Sequence, residues 1–213
     1  MRKLKNAMLI LTAVICAAPA FAQTRTYQKT LGGKPKSTLT ISETKSGDNY
    51  IAKIVEGSKV EIHTMDASRK TIAFQIIDKS DGTDAKVSLK DGIYTFTGQF
   101  KGKKIDRIEK SSGYPWYQNP KINGVKFYKG KTGFKIECIR PTEFDRFTLR
   151  CDDKGTQVID GFTVTRIQNT NTGAFAGIWT ASYCFDVNTG VFVLYKSVEG
   201  APGTPETKIT IIR

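Results

Sequence analysis

Histidine is almost absent from this 213-residue chain, in which His63 is the only one. A metal site built from several histidines is therefore excluded, and no GxSxG motif accompanies His63 to indicate a serine hydrolase. His63 shares one face of a predicted strand with Glu61 and Met65. We expect it at the surface or at a sheet edge rather than in a catalytic site.

Long apolar runs and helical patterns are missing after residue 22. No later segment approaches the roughly 20 apolar residues that a membrane-spanning helix needs. No window repeats apolar residues at helical spacing, and the best candidate for a helical turn is a short one near Tyr114–Gln118. We therefore expect residues 23–213 to form a single strand-rich domain.

Motifs for phosphate and calcium binding are incomplete. The segment Gly130–Gly133 resembles the end of a phosphate loop, but Val125 stands where the motif needs glycine, and a strand-like pattern follows. Asp78, Asp81 and Asp84 lack the spacing of a calcium loop. We therefore predict no metal, no cofactor and no catalytic residue, although scattered carboxylates leave a glycan hydrolase as an open alternative.

The N-terminal segment has the features of a secretory signal peptide. Basic residues at positions 2, 3 and 5 precede an apolar stretch over 7–18, and Ala20-Phe21-Ala22 matches the signal peptidase pattern. Cleavage after Ala22 would export residues 23–213 to the periplasm. Acylation of Cys16 is the alternative, but Ile15 occupies the position where such motifs usually have a small residue.

Alternation of apolar and polar residues dominates the rest of the chain. It is clearest in four segments, at 38–41, 71–76, 133–138 and 146–151. Turn signals such as Asp91-Gly92 and Asn123-Gly124 mostly follow one another at intervals of ten to fifteen residues. This pattern predicts an all-β antiparallel meander of roughly a dozen strands. So wide a sheet must hide its edges, so we expect a barrel or a strongly curved half-barrel.

The C-terminal segment Tyr183–Ile211 reads as strand, turn, strand, a Gly/Pro break and a last strand. Both faces of its hairpin are apolar, with Val193 on one face and Leu194 on the other, which predicts a central position in the sheet. The prolines of the 200–205 segment cannot donate to a sheet ladder. They indicate a rigid corner before the last strand, Thr207–Ile212.

Three motifs resemble a family of uncharacterised bacterial periplasmic β-proteins, a domain of unknown function. They are Pro115-Trp116-Tyr117-Gln118, the segment Phe134–Pro141, and the aromatic strand that runs through Asp186–Gly190 to Val198–Thr207. More distantly, such proteins are similar to the lipoprotein-carrier fold, an open β half-barrel with an apolar concave face. The resemblance covers the chain from about Tyr114 onward. It implies a fold, an envelope location and apolar ligands.

The window Ser111–Ile136 combines lysines with aromatic residues and contains no Asp or Glu. Such a strip suits a lipid–water boundary or an anionic partner. We therefore predict a binding strip with the lysines at one rim beside Trp116. In the alternative interpretation, the aromatic residues are core and the lysines are a solvated face. The predicted binding residues are Trp116, Tyr117, Lys126, Tyr128, Lys129 and Lys131.

The positive charge balance is compatible with anionic partners in the envelope, and solubility alone is the alternative explanation. The net charge is +13, and it falls to +10 without residues 1–22, which hold three basic and no acidic residues. Lipids and acidic proteins are candidate partners, and nucleic acid is a poor one for an exported protein. We favour a non-catalytic periplasmic protein that binds an apolar or amphipathic envelope molecule. An envelope interaction or assembly factor is the second hypothesis, and a cell-wall glycan hydrolase is the third.

Three cysteines follow residue 22 in a chain predicted to reach an oxidising compartment. A hairpin centred between Phe144 and Asp145 would place Cys138 directly opposite Cys151, so we predict a disulfide between them. Cys184 is expected to be buried and reduced. The alternatives are pairs that include Cys184, or three free thiols.

Overall fold

Fourteen antiparallel strands form one continuous sheet in the computed structural model, which describes residues 23–173, 179–198 and 203–212. The predicted antiparallel meander, curved as a half-barrel, is confirmed. The predicted signal segment 1–22 and residues 200–202 of the predicted corner, 200–205, lie outside the described residues. The strands are β1 Gln23–Leu31, β2 Lys34–Ser46, β3 Asn49–Glu56, β4 Lys59–Met65, β5 Thr71–Asp78, β6 Thr83–Lys90, β7 Ile93–Phe100, β8 Lys103–Lys110, β9 Phe134–Arg140, β10 Asp145–Ile159, β11 Phe162–Asn171, β12 Thr180–Asp186, β13 Phe192–Val198 and β14 Glu206–Ile211.

The chain enters the sheet in the middle. Strand β1 pairs with both β2 and β14, and the meander runs outward from β1 to β8. The chain then crosses to the opposite edge at β9 and returns strand by strand to β14. The two edges of the sheet are therefore β8 and β9, and the crossover segment, residues 111–133, connects them.

Tight turns fix the register of the hairpins. In the β6–β7 turn, Asp91 and Gly92 have φ values of 50° and 76°. In the β10–β11 turn, Asp160 and Gly161 have φ values of 50° and 78°. Positive φ at both central residues is the geometry whose twist matches that of paired strands. Asp91-Gly92 was one of the turns that the sequence predicted.

The helical turn lies further along the crossover segment than predicted. No helical turn forms at Tyr114–Gln118, where Trp116 instead forms a parallel bridge with Glu137 of β9. The short helix α1 spans Pro120–Asn123, with Asn119 as its N-cap, and a 3-10 turn follows at Val125–Phe127. Proline at a helix start and asparagine at the cap are favoured. Within the described residues, no helix has both the length and the apolar character needed to cross a membrane.

A buried carboxylate, Glu137 of the edge strand β9, connects that strand to β7 and to the segment that follows β8. Its oxygens accept hydrogen bonds from Tyr94 Oη of β7 at 2.9 Å, Ser111 Oγ at 2.6 Å and the Ser112 backbone N–H at 2.7 Å. The Ser112 hydroxyl also donates to it, and Arg146 of β10 pairs with it at 2.8 Å. Glu137 thus connects β7, the start of the crossover segment and the β9–β10 hairpin.

Further side-chain contacts link the same edges. Lys101 Nζ donates to the carbonyl of Thr142 at 2.8 Å, and Arg107 Nη2 donates to the carbonyl of Phe144 at 2.6 Å. The Phe144 ring packs against Phe100, with ring centroids 5.5 Å apart. The β7–β8 hairpin is therefore held against the β9–β10 turn by side chains, although β8 and β9 share no backbone ladder among the described residues.

The core is divided into two main clusters. One fills the space between β5–β7 and the β9 edge, and it includes Phe74, Phe96, Trp116 and Phe144. The larger cluster lies on the concave face of the remaining strands, under the crossover segment. The hairpin of β12 and β13 is buried on both faces, as predicted, and it lies inside the sheet rather than at an edge.

The predicted disulfide between Cys138 and Cys151 is wrong. The β9–β10 turn is centred two residues earlier than expected, so Cys138 faces Phe147, and Cys151 faces Phe134. Four residues of strand separate the two positions, roughly 13 Å at about 3.3 Å per residue, which is beyond the reach of a disulfide. The turn shifts because Phe144 adopts a positive φ of 54° and buries its ring in the core. The buried thiols are all free.

We expect the cysteines to be inert in the native protein. Burial raises the pKa of Cys184 to about 11 and raises that of Cys151 further, and the thiolate is the reactive form. Titration with dithiobis-nitrobenzoate should detect almost no thiol in the native chain lacking residues 1–22, and three after denaturation. A disulfide-linked peptide in a non-reducing digest would contradict this prediction.

Replacement of Glu137 by glutamine should strongly destabilise the fold. The substitution leaves Arg146 and the donating hydroxyls without a negative partner, and we expect the free energy of unfolding at pH 7 to fall by about 3 kcal/mol. Burial alone would raise the pKa of Glu137, but hydrogen bonds from Ser111, Ser112 and Tyr94 outweigh it and leave the pKa below its ordinary value. The stabilisation is therefore present above the ordinary pKa and is lost as the pH falls through the folded-state pKa.

Urea unfolding of the wild type and Glu137→Gln at pH 7 and pH 3 measures this difference. The difference in the free energy of unfolding between the wild type and Glu137→Gln should be smaller at pH 3 than at pH 7. The exposed Glu143→Gln variant on the nearby turn is the matched control and should behave like the wild type at both pH values. Equal stability of Glu137→Gln and Glu143→Gln at pH 7 would show that the carboxylate does not hold the edges together.

Candidate functional site

The concave face of the sheet encloses a cavity of about 630 Å³. Side chains from β1–β4 and β9–β14 line it, and residues Gln118–Lys121 of the crossover segment cover it. This volume falls within the range of about 300–1,000 Å³ that is usual for small-molecule sites. The predicted curvature of the sheet therefore leaves a hollow interior, which the sequence left undecided.

Apolar groups form much of the cavity wall. Tyr183 of β12 and Tyr195 of β13 lie side by side, with ring centroids 5.0 Å apart in an edge-to-face arrangement. Such a wall suits a hydrocarbon chain or an aromatic group. The apolar lining residues are Leu39, Ile54, Ile139, Phe147, Leu149, Trp179, Tyr183, Tyr195 and Ile209.

A first ion pair lies on the wall formed by β1–β3. Lys29 Nζ is 3.1 Å from Glu56 Oε1, and the Ser37 hydroxyl donates to the same carboxylate at 2.5 Å. Burial acts to raise the pKa of Glu56, but the bond from Ser37 and the charge of Lys29 outweigh it, so the pKa lies below its ordinary value. Glu56 is therefore ionised at neutral pH.

A second ion pair follows on β4. Lys59 Nζ is 2.7 Å from Glu61 Oε1, and His63 Nε2 is 3.3 Å from Glu61 Oε2. Burial acts to raise the pKa of Glu61, yet the bond to His63 and the charge of Lys59 hold it below its ordinary value.

The expectation of a surface or edge histidine is wrong. His63 is fully buried, and its ring packs on Phe74 with ring centroids 4.9 Å apart.

Lys121 enters the cavity from its cover. Helix α1 is fixed at both ends, because Gln118 exchanges two hydrogen bonds with the Ile139 backbone, at 2.7 and 2.8 Å. Asn123 Nδ2 donates to the carbonyl of Arg69 at 2.8 Å. The Lys121 ammonium then lies 5.5 Å from the centre of the Tyr195 ring.

The charge of Lys121 is not balanced by a neighbouring acid. No carboxylate forms a salt bridge with it within the ranges that the structure describes. Burial lowers the pKa of Lys121, and the charge of Glu61 opposes that shift only in part. The other cations of the lining have partners, since Lys29 and Lys59 pair with glutamates, and Arg140 is 2.9 Å from Glu143.

Asn169 of β11 is a second unsatisfied group in the cavity lining. Its side chain is fully buried, and neither Oδ1 nor Nδ2 has a hydrogen-bond partner among the described residues. A buried amide without partners costs stability. Among buried polar groups such exceptions are few, and here the amide belongs to the wall of a cavity large enough for a ligand.

The predicted aromatic binding residues are core residues instead. Trp116, Tyr117 and Tyr128 are only 1–3% exposed. Trp116 packs edge-to-face on Tyr94, whereas Tyr117 belongs to the other main cluster, with Tyr128 and Phe127. The prediction that Trp116 lies at a rim with the lysines is therefore wrong, because the crossover segment buries its aromatic residues to cover the two cores.

The predicted lysines remain on the surface. Lys126, Lys129 and Lys131 are exposed, and Lys131 Nζ lies 4.3 Å from the centre of the Phe134 ring. These lysines lie outside the cavity lining. The residues that do meet at the cavity, above all Lys121 and Asn169, were not among the predicted site residues. Asn169 stands in a polar stretch, Gln168–Thr172, whose sequence resembles a loop.

The comparisons with known proteins identify the fold. No family model and no curated protein matches the sequence. The structure is similar to a beta-barrel-like protein of the domain of unknown function DUF1849 from Brucella abortus, with a TM-score of 0.60 and 11% identity over 92% of this chain and 98% of that chain. The predicted resemblance to β-proteins of a domain of unknown function is thus confirmed for the fold.

Two lipoproteins are similar more loosely. The hypothetical lipoprotein YmcC from Escherichia coli gives a TM-score of 0.35 and 15% identity over 89% of this chain and 83% of that chain. The lipoprotein LppX from Mycobacterium tuberculosis gives a TM-score of 0.29 and 10% identity over 90% of this chain and 85% of that chain. TM-scores this low carry no argument about what this chain binds.

The role of the exposed lysines as a contact for anionic membranes stays a prediction. Lys126, Lys129 and Lys131 each contribute about 1 kcal/mol if they lie near an anionic lipid surface. Replacing all three by glutamate should therefore weaken binding to phosphatidylglycerol vesicles by about a hundredfold or more, with the fold intact by circular dichroism. Vesicle co-sedimentation measures the effect.

The matched control changes three other exposed lysines. Lys34, Lys36 and Lys45 lie on β2, and their replacement by glutamate alters the net charge by the same amount. Equal losses in the two triple variants would show that net charge alone attracts the protein. Unchanged binding of the first variant would show that its lysines are only solvated surface.

Proposed function

We propose that this chain is an exported, non-catalytic binding protein for an apolar or amphipathic envelope molecule. The observation that carries the proposal is the cavity of about 630 Å³ between the concave face and the crossover segment, with its wall of Leu, Ile and aromatic side chains. The signal-peptide pattern that ends at Ala22 supports a periplasmic location. The fold itself does not specify a ligand.

The charge state of the cavity supports binding over glycan hydrolysis. A glycosidase needs one protonated carboxyl group as general acid beside a second, ionised one. Here Glu56 and Glu61 both have lowered pKa values, and each is paired with a lysine. Two ionised, neutralised carboxylates suit a wall that holds a ligand more than a pair that transfers protons.

The cavity predicts that an uncharged apolar fluorophore, N-phenyl-1-naphthylamine, binds inside. Ile54 lies in the cavity wall, and an Ile54→Trp substitution should fill part of the volume. We expect fluorophore affinity to fall about tenfold, equivalent to about 1.4 kcal/mol. Overpacking should lower the stability by no more than about 1–3 kcal/mol. Fluorescence titration measures the affinity.

The control places the same bulky residue outside the cavity. Val158 is 72% exposed, so Val158→Trp should bind the fluorophore as the wild type does. Native mass spectrometry of protein isolated from the periplasm should in addition find a co-purified small molecule. A wild-type protein that binds no fluorophore and carries no molecule would refute the proposed function.

A further inference from the structure

We propose that the ligand of the cavity is an acidic amphiphile whose anionic headgroup pairs with Lys121 and whose polar atoms hydrogen-bond with Asn169. This inference rests on the proposed function, and it adds the chemical class of the ligand. The class meant is a single hydrocarbon chain that ends in a carboxylate or a phosphate ester.

The first argument is the charge balance of the lining. Lys29 pairs with Glu56, Lys59 pairs with Glu61, and Arg140 pairs with a carboxylate outside the cavity. Lys121 is half-buried and forms no salt bridge among the described residues, and Glu61 and Glu56 act on its charge only at longer range. Partial burial weakens the hydration of its ammonium group, so an anion inside the cavity would stabilise it. A ligand headgroup supplies that anion.

The second argument comes independently from Asn169. Its amide offers both a donor and an acceptor, and both are buried and unpartnered among the described residues. Across the sheet Asn169 faces Ala181 of β12, and Tyr183, two residues further along, faces Tyr195. Lys121 lies over the Tyr195 ring. The two polar groups therefore flank the tyrosine pair of one apolar wall.

The surroundings of these groups define the rest of the ligand. Tyr183, Tyr195 and Ile209 occupy one row across β12–β14, and all three line the cavity. A free inorganic anion would not cover the apolar surface of this wall. A neutral lipid would leave Lys121 without an anionic partner. An acidic amphiphile satisfies both, because its chain covers the apolar wall while its headgroup reaches the ammonium.

The test compares ligands that differ only in the headgroup. Dodecanoate, dodecyl phosphate and dodecanol are titrated into the wild type by calorimetry, with acetate and inorganic phosphate as free anions. We expect both dodecyl anions to bind at least tenfold more tightly than dodecanol, and the free anions to bind far more weakly. Tight binding of acetate or phosphate would assign the site to a free anion and overturn the proposal.

Two variants assign the residues. Lys121→Gln should remove the tenfold preference for the anions over dodecanol, whereas Lys53→Gln, on the outer face of β3, should keep that preference. Asn169→Leu should weaken dodecanoate binding without lowering the Tm of the empty protein, because it removes an unsatisfied amide. A structural asparagine would instead show a lower Tm and unchanged binding, which would refute its role.

The outcomes separate this inference from the function on which it rests. If Lys121→Gln keeps the full preference for dodecanoate, the headgroup assignment is wrong, and fluorophore binding still supports an apolar carrier. If neither the fluorophore nor any dodecyl compound binds the wild type, the proposed function fails, and the inference fails with it.

Discussion

The hydrogen-bonded and ion-paired carboxylate of Glu137 is the interaction on which the rest of the structure depends. The strand β1 lies in the middle of the sheet, and the two edge strands are β8 and β9. These edge strands form no ladder with each other among the described residues. Exposed edges invite pairing with other chains. Glu137 connects the β9 edge to Tyr94, Ser111 and Arg146, so the half-barrel is closed by side chains where a full barrel would use backbone hydrogen bonds.

Closure by side chains determines the interior. A closed barrel of fourteen strands would be wider than the eight-stranded barrels whose interiors side chains just fill. Here the crossover segment spans the open side, pairing with β9 at Trp116 and with the start of β5 through Thr71. Its short helix thereby becomes a cover that lies above a space, and Lys121 is directed into that space.

Local patterns predicted the strands and the turns well, because alternation and Asp-Gly pairs act through neighbouring residues. They failed where packing between residues distant in sequence determines the position of a turn or the burial of a side chain. The burial of Phe144 against β5–β7 moved a turn by two residues and separated Cys138 from Cys151. The aromatic residues of the predicted binding strip are buried, and alternation could not show this because it does not reveal which elements a crossover segment covers. Asn169 carries no local signal, since its importance arises from a cavity assembled by ten strands.

The two polar features of the molecule differ in how their central groups are partnered. Around Glu137, a buried charge has several donors and a cation, as expected of a group that serves the fold. Around the cavity, Lys121 lacks an acid and Asn169 lacks any partner among the described residues. Folding alone gives no reason to place an unpaired ammonium group and an unsatisfied amide here, because apolar side chains would fill the same positions at lower cost. Local costs of this kind are typical of functional sites, and here both costs occur in the lining of one cavity.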